Sequence, residues 1–179
     1  MWTLLRNKLK DIRTLSALFK AAEQVARANG AERPGSEHLV LASLAMPDGT
    51  ARRALAGLGA TPEMFGAAIR SQFIAALSHA GLEMPTPAGA ELPGNQRIAS
   101  PSKLYRATAS GQSLVQRLAS TVKARSGRPL LAADILVAAA EEEFSIAARS
   151  FRVLGITPQQ LVHAAGREIA QCHHGAAKA

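Results

Sequence analysis

Apolar residues recur along the chain at intervals of three and four positions, which places them on one face of an α-helix. Between residues 16 and 79 this pattern is interrupted by Asn29 and Gly30, by residues 46–49, and by Gly59. Glycine, asparagine and proline end helices, because they favour backbone conformations that the next helical turn cannot use. The pattern therefore predicts four helices in this segment.

Capping residues mark the starts of two of these helices. Ser36 stands where the N-cap of the second helix is expected, and Glu37 follows in a first turn that favours negative charge. Thr61 and Pro62 suit the N-cap and the first helical position of the fourth helix. An apolar residue then occupies every fourth position, which predicts a buried stripe along that helix. The stripe consists of Phe65, Ile69, Phe73 and Leu77.

The pattern of the first segment is repeated later in the chain. Residues 59–62, Gly-Ala-Thr-Pro, recur as Gly-Ile-Thr-Pro at residues 155–158, an offset of 96 positions. The same offset aligns further apolar positions without a gap, so a second unit of four helices is predicted over residues 110–172. Its last helix begins with a capping box, because Gln160 follows Thr157 by three positions. Aligned pairs include Leu39 with Ile135, Val40 with Leu136 and Ala51 with Ala147.

The repeat predicts an all-α fold of about eight helices, arranged as two pseudo-symmetric four-helix repeats. Between the repeats, residues 80–109 contain four prolines and three glycines and are predicted to be a linker or surface loop, with a short helical turn near Leu104 and Tyr105. The chain is thus divided into a basic amphipathic extension (1–15), the first repeat (16–79), the linker (80–109), the second repeat (110–172) and a flexible tail (173–179).

Composition agrees with a helical fold and limits the size of the core. The chain has 179 residues, enough for one ordinary domain or two very small ones, which excludes a large multi-domain enzyme. Apolar residues make up 47% of the chain, but 37 of them are alanine, and aromatic residues are only 4%. Alanine is the best helix former, whereas strands favour β-branched and aromatic residues, so closely packed helices are predicted.

The formal net charge of +8 invites a nucleic-acid or membrane-surface function. Most basic residues are scattered, however, which argues against nucleic acid, and they are concentrated only before residue 14. There they alternate with apolar residues at helical spacing, as in an interfacial or partner-binding helix. The alternative is a helical extension that packs on the domain or on a second copy of the chain. The predicted partner or membrane contacts are Trp2, Arg6, Lys8, Lys10 and Arg13.

Residues capable of metal binding or nucleophilic chemistry do not form a recognisable site. Cys172 is the only cysteine, which excludes an intramolecular disulfide. His173 and His174 follow it, but adjacent histidines on a helix point to different faces, so no metal site is predicted. No nucleophile, base and orienting group occur together, and we predict neither an enzyme nor a bound cofactor. The three glutamates at 141–143 are predicted to be a solvated helix end or a contact for a basic partner.

The location of the protein is predicted from what its N-terminal segment contains. Charged residues follow Leu5 closely, so no apolar stretch of signal-peptide length is present, and the chain has no apolar run of 18 residues. The single cysteine also fits a reducing compartment. We therefore expect a cytoplasmic protein.

Residues 34–44 carry a resemblance to a known family. Their sequence, Pro-Gly-Ser-Glu-His-Leu-Val-Leu-Ala-Ser-Leu, follows a helix that ends in Asn-Gly. A glycine-containing turn, an alanine- and leucine-rich helix and a Leu-Gly pair at residues 58–59 come after it. This order resembles the Clp N-terminal repeat, which occurs twice in the N-terminal domain of Clp-type AAA+ unfoldases. The resemblance covers residues 16–79 and, more weakly, 110–172, and implies one pseudo-symmetric all-α domain.

The resemblance also implies a binding site. In the unfoldases, the glutamate at this helix start is implicated in capturing substrate or adaptor groups, including phosphorylated arginine in some members. Carried over to this chain, the resemblance implies that Ser36 and Glu37 bind a protein or ligand group. It does not extend to a symmetric pair of pockets, because the second repeat departs from Ser-Glu-His-Leu. The corresponding residues there are Ala132, Ala133, Asp134 and Ile135.

The chain lacks the motor of the unfoldases. It contains no Gly-Lys pair, which the phosphate-binding loop of these ATPases requires. The resemblance therefore implies a non-catalytic protein-binding or adaptor module in Clp-type proteostasis. Its expected partners are unfoldase components, adaptors, or damaged and tagged client proteins. The rival hypothesis is a small basic protein that binds nucleic acid or a membrane surface.

Overall fold

The computed structural model describes residues 2–79, 107–124 and 128–176, and these form eight α-helices without a strand. The prediction of an all-α fold is therefore confirmed. The predicted turn near Leu104 and Tyr105 lies outside the described residues. The helices are α1 (Trp2–Ala28), α2 (Ser36–Leu44), α3 (Thr50–Ala56), α4 (Pro62–His79), α5 (Ala109–Ala124), α6 (Ala133–Ala140), α7 (Ile146–Val153) and α8 (Pro158–Ala176).

The predicted starts of α4 and α8 are confirmed. Thr61 precedes α4, and its hydroxyl accepts a hydrogen bond from the N–H of Met64 at 3.3 Å. At α8, the N–H of Thr157 donates to the Gln160 side chain at 2.9 Å, and the N–H of Gln160 donates to the Thr157 hydroxyl at 3.3 Å. This reciprocal pair is the capping box that the spacing of the two residues predicts.

The predicted start of α2 is wrong by one residue. Gly35 is the N-cap, and Ser36 is the first residue with helical geometry. The cap is made instead by His38, whose Nδ1 accepts a hydrogen bond from the N–H of Gly35 at 3.0 Å. The histidine thus satisfies the N–H of the N-cap residue, and the hydroxyl cap of the first turn that the sequence pattern predicts is not formed.

Helices α2 and α6 form the centre of the structure, where nearly every residue of both is buried. They contact each other, while α1 packs on α2 and α5 packs on α6. Contacts between the two halves are reciprocal, since α3 packs on α8 and α4 packs on α7. One cluster of buried apolar residues joins both halves, and it includes the rings of Phe65 and Phe151, whose centroids are 4.6 Å apart.

The apolar stripe predicted along α4 is buried over only its first half. Phe65 and Ile69 are buried, whereas 47% of Phe73 is exposed; the side chain of Leu77 lies outside the described part. The reason is length. The 18 residues of α4 extend well past α2 and α7, its partners, which have nine and eight residues.

Helix α1 runs without interruption across the boundary predicted between residues 15 and 16. From Leu18 onward it contributes to the core, but Leu9 and Ile12 are 62% and 63% exposed. The extension and the first helix of the first repeat are thus one continuous helix. In the part of the chain that the structure describes, none of the helices is both long enough and apolar enough to cross a membrane.

Candidate functional site

The loop before α2 is enclosed by the start of α5. The N–H of Thr108 donates to the carbonyl of Pro34 at 3.0 Å, and the hydroxyl of Ser110 accepts a hydrogen bond from the N–H of Ser36 at 3.4 Å. Gly111 packs so closely that a Cβ there would lie 2.7 Å from the same Pro34 carbonyl oxygen. The described end of the predicted linker therefore covers the site that the family resemblance implies.

The carboxylate of Glu37 folds back over Gly35. Only 4% of Glu37 is exposed, and a Cβ on Gly35 would lie 2.5 Å from both carboxylate oxygens. Oε1 is 3.1 Å from Nδ1 of His38, which already accepts the N–H of Gly35, so this is a contact rather than a second hydrogen bond. Oε2 has no hydrogen-bond partner among the described residues. Glu37 is thus a buried carboxylate with unused bonding capacity.

Two further buried polar groups near this helix start lack partners. Ser36 is completely buried, and its hydroxyl makes no hydrogen bond within the described part of the chain. Glu142 is 7% exposed, and neither carboxylate oxygen makes a hydrogen bond of normal geometry there. Burial raises the pKa of Glu142 above its ordinary value, while the nearby hydroxyls of Ser145, Ser113 and Ser36 act in the opposite direction.

The burial of Glu142 corrects a prediction. Glu141 and Glu143 are exposed, as expected for a solvated helix end, but Glu142 is not. The turn between α6 and α7 carries its side chain toward Ser113 of α5, so that a long-range contact decides its environment. Three identical residues in succession contain no signal that singles out the middle one.

The start of α6 is capped by residues from the first half of the chain. The Asp48 carboxylate accepts a hydrogen bond from the N–H of Ala132 at 2.9 Å, and the Thr50 hydroxyl accepts one from the N–H of Ala133 at 2.9 Å. Asp48 also accepts hydrogen bonds from the N–H and the hydroxyl of Thr50. Sequence reasoning misses both residues, because Asp48 in a turn and Thr50 at the start of α3 lie more than 80 positions from the helix that they cap.

Two other carboxylates complete this arrangement. Asp134 accepts a hydrogen bond from the N–H of Leu131 at 2.8 Å, and Asp11 of α1 accepts one from the N–H of Leu130 at 2.7 Å. Four successive N–H groups, of residues 130–133, are therefore each paired with a side-chain oxygen. The start of α6 has no bonding capacity left for a ligand.

The basic residues predicted to contact a partner lie on the first half of α1. Lys10 and Arg13 are exposed there, beside the exposed side chains of Leu9 and Ile12. The side chains of the other three predicted contacts lie outside the described part. These are Trp2, Arg6 and Lys8.

Cys172 of α8 takes part in a structural contact. Within residues 2–79, 107–124 and 128–176, no group of three histidine, cysteine or acidic side chains is arranged to hold a metal ion. The Cys172 sulfur lies 3.7 Å from the guanidinium of Arg53, which pairs with Glu168 at 2.7 Å. This ion pair joins α3 to α8, and the hydrogen bond to Glu168 raises the pKa of Arg53.

Comparison with protein-family models and with curated proteins finds no match to the chain.

Proposed function

We propose that this protein is a non-catalytic protein-binding or adaptor module of the Clp N-terminal type. The observation that carries the proposal is the start of α2, where Ser36, Glu37 and Glu142 are buried and have polar atoms that make no hydrogen bond of normal geometry with the described residues. Buried polar groups without partners are costly, so a protein that keeps them gains something else from them. The resemblance of residues 34–44 assigns this helix start to the capture of protein groups.

The arrangement of the helices supports a two-repeat domain. Under the 96-residue offset, α1 to α4 correspond to α5 to α8, and the contacts of α1 with α2 and of α3 with α8 have counterparts in those of α5 with α6 and of α7 with α4. Gly59 and Gly155, which the same offset pairs, both end their helices with positive φ, at 75° and 71°. These correspondences are what two copies of one four-helix unit would give.

The chemistry of the site favours a cationic group with an anion attached. A carboxylate matches the fork of a guanidinium, while the N–H groups at a helix start attract an anion. Because residues 107–111 cover the site, such a group reaches Glu37 only after the start of α5 moves away. The hydrogen bonds of Thr108 and Ser110 to the α2 loop are few enough to be exchanged for contacts with a partner.

A pull-down from lysate combined with a direct titration tests this function. We expect the wild-type chain to recover Clp-type unfoldase components, adaptors or misfolded clients, and to bind a chemically unfolded model protein. Glu37→Gln keeps the shape but removes the charge, and should weaken binding by about tenfold or more. Glu63→Gln is the matched control, since Glu63 lies in the first turn of α4 but is exposed. Recovery of no chaperone, protease or client would contradict the proposal.

The rival function is binding to nucleic acid or to an anionic membrane surface through α1. The observation that favours it is the pairing of exposed Leu9 and Ile12 with exposed Lys10 and Arg13. A salt titration distinguishes the two functions. Binding to DNA through several basic residues weakens steeply with salt, whereas capture of a protein group at a buried site does not. Cosedimentation with anionic vesicles measures the membrane alternative.

A further inference from the structure

A cavity of about 280 Å³ opens between the end of α6, α7 and the start of α8. Its floor is apolar, with Phe151, Ile156 and Leu161, and the three glutamates at 141–143 also line it, of which Glu141 and Glu143 are exposed at the rim. A second, shallower depression shares Pro158 and Gln159 with it and continues to Val162. We refer to the two depressions together, with this rim, as the acidic groove.

Exposed apolar side chains belong to residues that line the acidic groove or that directly follow a lining residue in the chain. Phe144 follows the glutamates directly and is 84% exposed, the largest value among the exposed large apolar residues of the described part. Val153 and Val162, on α7 and α8, are 54% and 41% exposed. A bare aromatic ring beside an apolar cavity is the usual composition of an interface centre, because its burial by a partner supplies most of the binding energy.

The electrostatics of the groove select a cationic partner. The C-terminal end of α6 carries the negative end of the helix dipole, so glutamates there raise the negative potential and do not help the helix. Arg117 pairs with Glu141 at 3.2 Å, but Arg152 donates to the backbone carbonyl of Glu143 and leaves its carboxylate without an ion pair among the described residues. Three carboxylates against the two guanidiniums of Arg117 and Arg152 leave the groove with a formal charge of −1, and its exposed carboxylates are those of Glu141 and Glu143.

The first half of α1 has the complementary composition. Leu9 and Ile12 are exposed apolar residues, and Lys10 and Arg13 are exposed cations on the same two turns. A helix segment with these residues matches the groove, because its apolar side chains can pack on Phe144 and its basic side chains can pair with the glutamates. No described helix covers this part of α1.

The two surfaces cannot meet within one chain. Asp11, which lies between Lys10 and Arg13, is bonded to Leu130, three residues before α6 begins. The acidic groove lies at the other end of α6, about 12 Å further along the helix axis. The basic half of α1 therefore lies at the wrong end of α6 to fill the groove of its own chain.

We propose that the basic half of α1 from one copy of this protein docks into the acidic groove of a second copy. The contact is head-to-tail, so two copies close into a dimer if the contact is mutual and otherwise form an open chain. The surfaces involved are small, and association is expected to be weak, concentration-dependent and reduced by salt. This inference is independent of what α2 binds.

Sedimentation velocity of the full chain at increasing concentration tests the proposal. We expect association of the wild type in the range of about 10 to 200 μM at low salt, decreasing by about tenfold or more in 0.5 M NaCl. Lys10→Glu with Arg13→Glu, and separately Glu141→Lys with Glu143→Lys, should each weaken association by about tenfold or more. Phe144→Ser, at an exposed position, should weaken it without changing the circular dichroism spectrum.

Mixing the two charge-reversed variants provides the decisive measurement. The wild-type α1 of the groove variant can dock into the wild-type groove of the α1 variant, so the mixture should associate although neither variant does so alone. The chain that carries all four substitutions should recover association to within about threefold of the wild type. A wild type that stays monomeric at about 200 μM overturns the proposal, as does a mixture that fails to associate.

A basic partner of another kind is the remaining occupant of the groove. If a lysine- and arginine-containing peptide binds the wild type and loses affinity in the groove variant, while the wild type stays monomeric, the groove serves a foreign partner and self-docking is wrong. Loss of client binding in Glu37→Gln with unchanged self-association concerns the proposed function alone, so the two failures are distinguishable.

Discussion

Helices α2 and α6 occupy equivalent places at the centre of the structure, but their starts are satisfied to different degrees. At α6, four successive N–H groups donate to side-chain oxygens, including those of Asp48 and Thr50 from the other half of the chain. At α2, the Ser36 hydroxyl and one oxygen of Glu37 are buried and make no hydrogen bond of normal geometry with the described residues. The start of α6 therefore joins the two halves of the chain, whereas the start of α2 keeps buried polar groups with unused bonding capacity.

The sequence offset of 96 explains part of this difference. Gly35 aligns with Leu131 and His38 with Asp134, and both pairs make the same bond, from a backbone N–H to a side chain three residues ahead. The residues that stand in place of Ser-Glu-His-Leu in the second half of the chain thus preserve this bond. What they lack is a counterpart of Glu37, because the aligned residue is Ala133.

The caps that Asp48 and Thr50 supply to α6 have no counterpart at the positions that the 96-residue offset pairs with them. Asp48 aligns with Phe144 and Thr50 with Ile146, so the turn after α6 has no side-chain oxygen at these two positions to return to the start of α2. Phe144 lies instead in solvent, 84% exposed. The asymmetry of one turn therefore leaves α2 underbonded and at the same time creates the exposed ring of the acidic groove.

Removing the cross-half cap should have the largest effect on stability. Asp48→Ala deletes the acceptor for the N–H groups of Ala132 and Thr50 and for the Thr50 hydroxyl. We expect the free energy of unfolding to fall by about 3 kcal/mol, since charge-assisted caps of buried N–H groups are among the stronger single bonds. Urea denaturation measures it. Asp48→Asn keeps part of the acceptor geometry and should lose less; equal losses would show that the bonds to α6 contribute little.

Separating α5 from the loop before α2 should have the next largest effect. Gly111→Ala places a Cβ 2.7 Å from the Pro34 carbonyl oxygen and 2.9 Å from the Ala107 side chain, so backbone has to move. We expect a loss of about 2 kcal/mol, typical of overpacking, with faster hydrogen exchange at the Thr108 amide. Gly166→Ala is the control. Gly166 lies within α8 with nothing within 4 Å of an added Cβ, so this change should raise stability by about 0.5 to 1 kcal/mol. A Gly111→Ala variant as stable as the wild type would contradict the enclosure.

Sequence patterns predict what local bonds decide, and fail where distant segments meet. The starts of α4 and α8 are set by Thr61 and by the pair of Thr157 with Gln160, all within one helical turn, so spacing reveals them. The exposure of Phe73 depends on how far α2 and α7 reach, and the burial of Glu142 depends on where α5 lies. Neither the reach of α2 and α7 nor the location of α5 can be predicted from the residues next to Phe73 or Glu142.

The candidate site was predictable only in part for the same reason. The sequence singles out Ser36 and Glu37 through their resemblance to a known helix start, and this position is where the structure has buried, unpaired polar atoms. Their enclosure by residues 107–111 and the approach of Glu142 come from long-range packing. The cap that Asp48 supplies to α6 could not be predicted either, since an aspartate before a short helix suits its own helix equally well.

The pH dependence of stability should identify Glu142 as the carboxylate near α2 whose charged form destabilises the fold. Burial raises its pKa, so the folded chain binds this proton more tightly than the unfolded chain does. Glu142 therefore does not lower the free energy of unfolding below the ordinary pKa of glutamate, and lowers it increasingly as the pH rises from that value through its own raised pKa. Glu142→Gln should therefore raise the free energy of unfolding by about 1 kcal/mol near pH 7.5 and change it little near pH 4.

Denaturation of both proteins across this pH range measures the effect. Glu143→Gln serves as the control, because Glu143 is exposed and should show no pH-dependent difference from the wild type. If Glu142→Gln were less stable than the wild type near pH 7.5, the nearby hydroxyls would have to stabilise the charged carboxylate fully, and the contrast with α6 would disappear.

The smallest expected effect separates the two helix starts most directly. Ser36→Ala removes a buried hydroxyl that lies near the Glu142 carboxylate but makes no hydrogen bond of normal geometry with a described residue, so the free energy of unfolding should change by less than about 0.5 kcal/mol. Thr50→Val is the matched change at α6, where the hydroxyl accepts the N–H of Ala133 and donates to Asp48, and should cost about 2 kcal/mol. Both variants keep helical backbone and lose one hydroxyl from a fully buried site.

If the two losses of stability were equal, Ser36 would have a partner in solution, and α2 would be no more available to a ligand than α6. If Ser36→Ala left the free energy of unfolding nearly unchanged but weakened binding of the unfolded model protein, the hydroxyl would contribute to binding and not to folding. We would then infer that it is retained for the ligand.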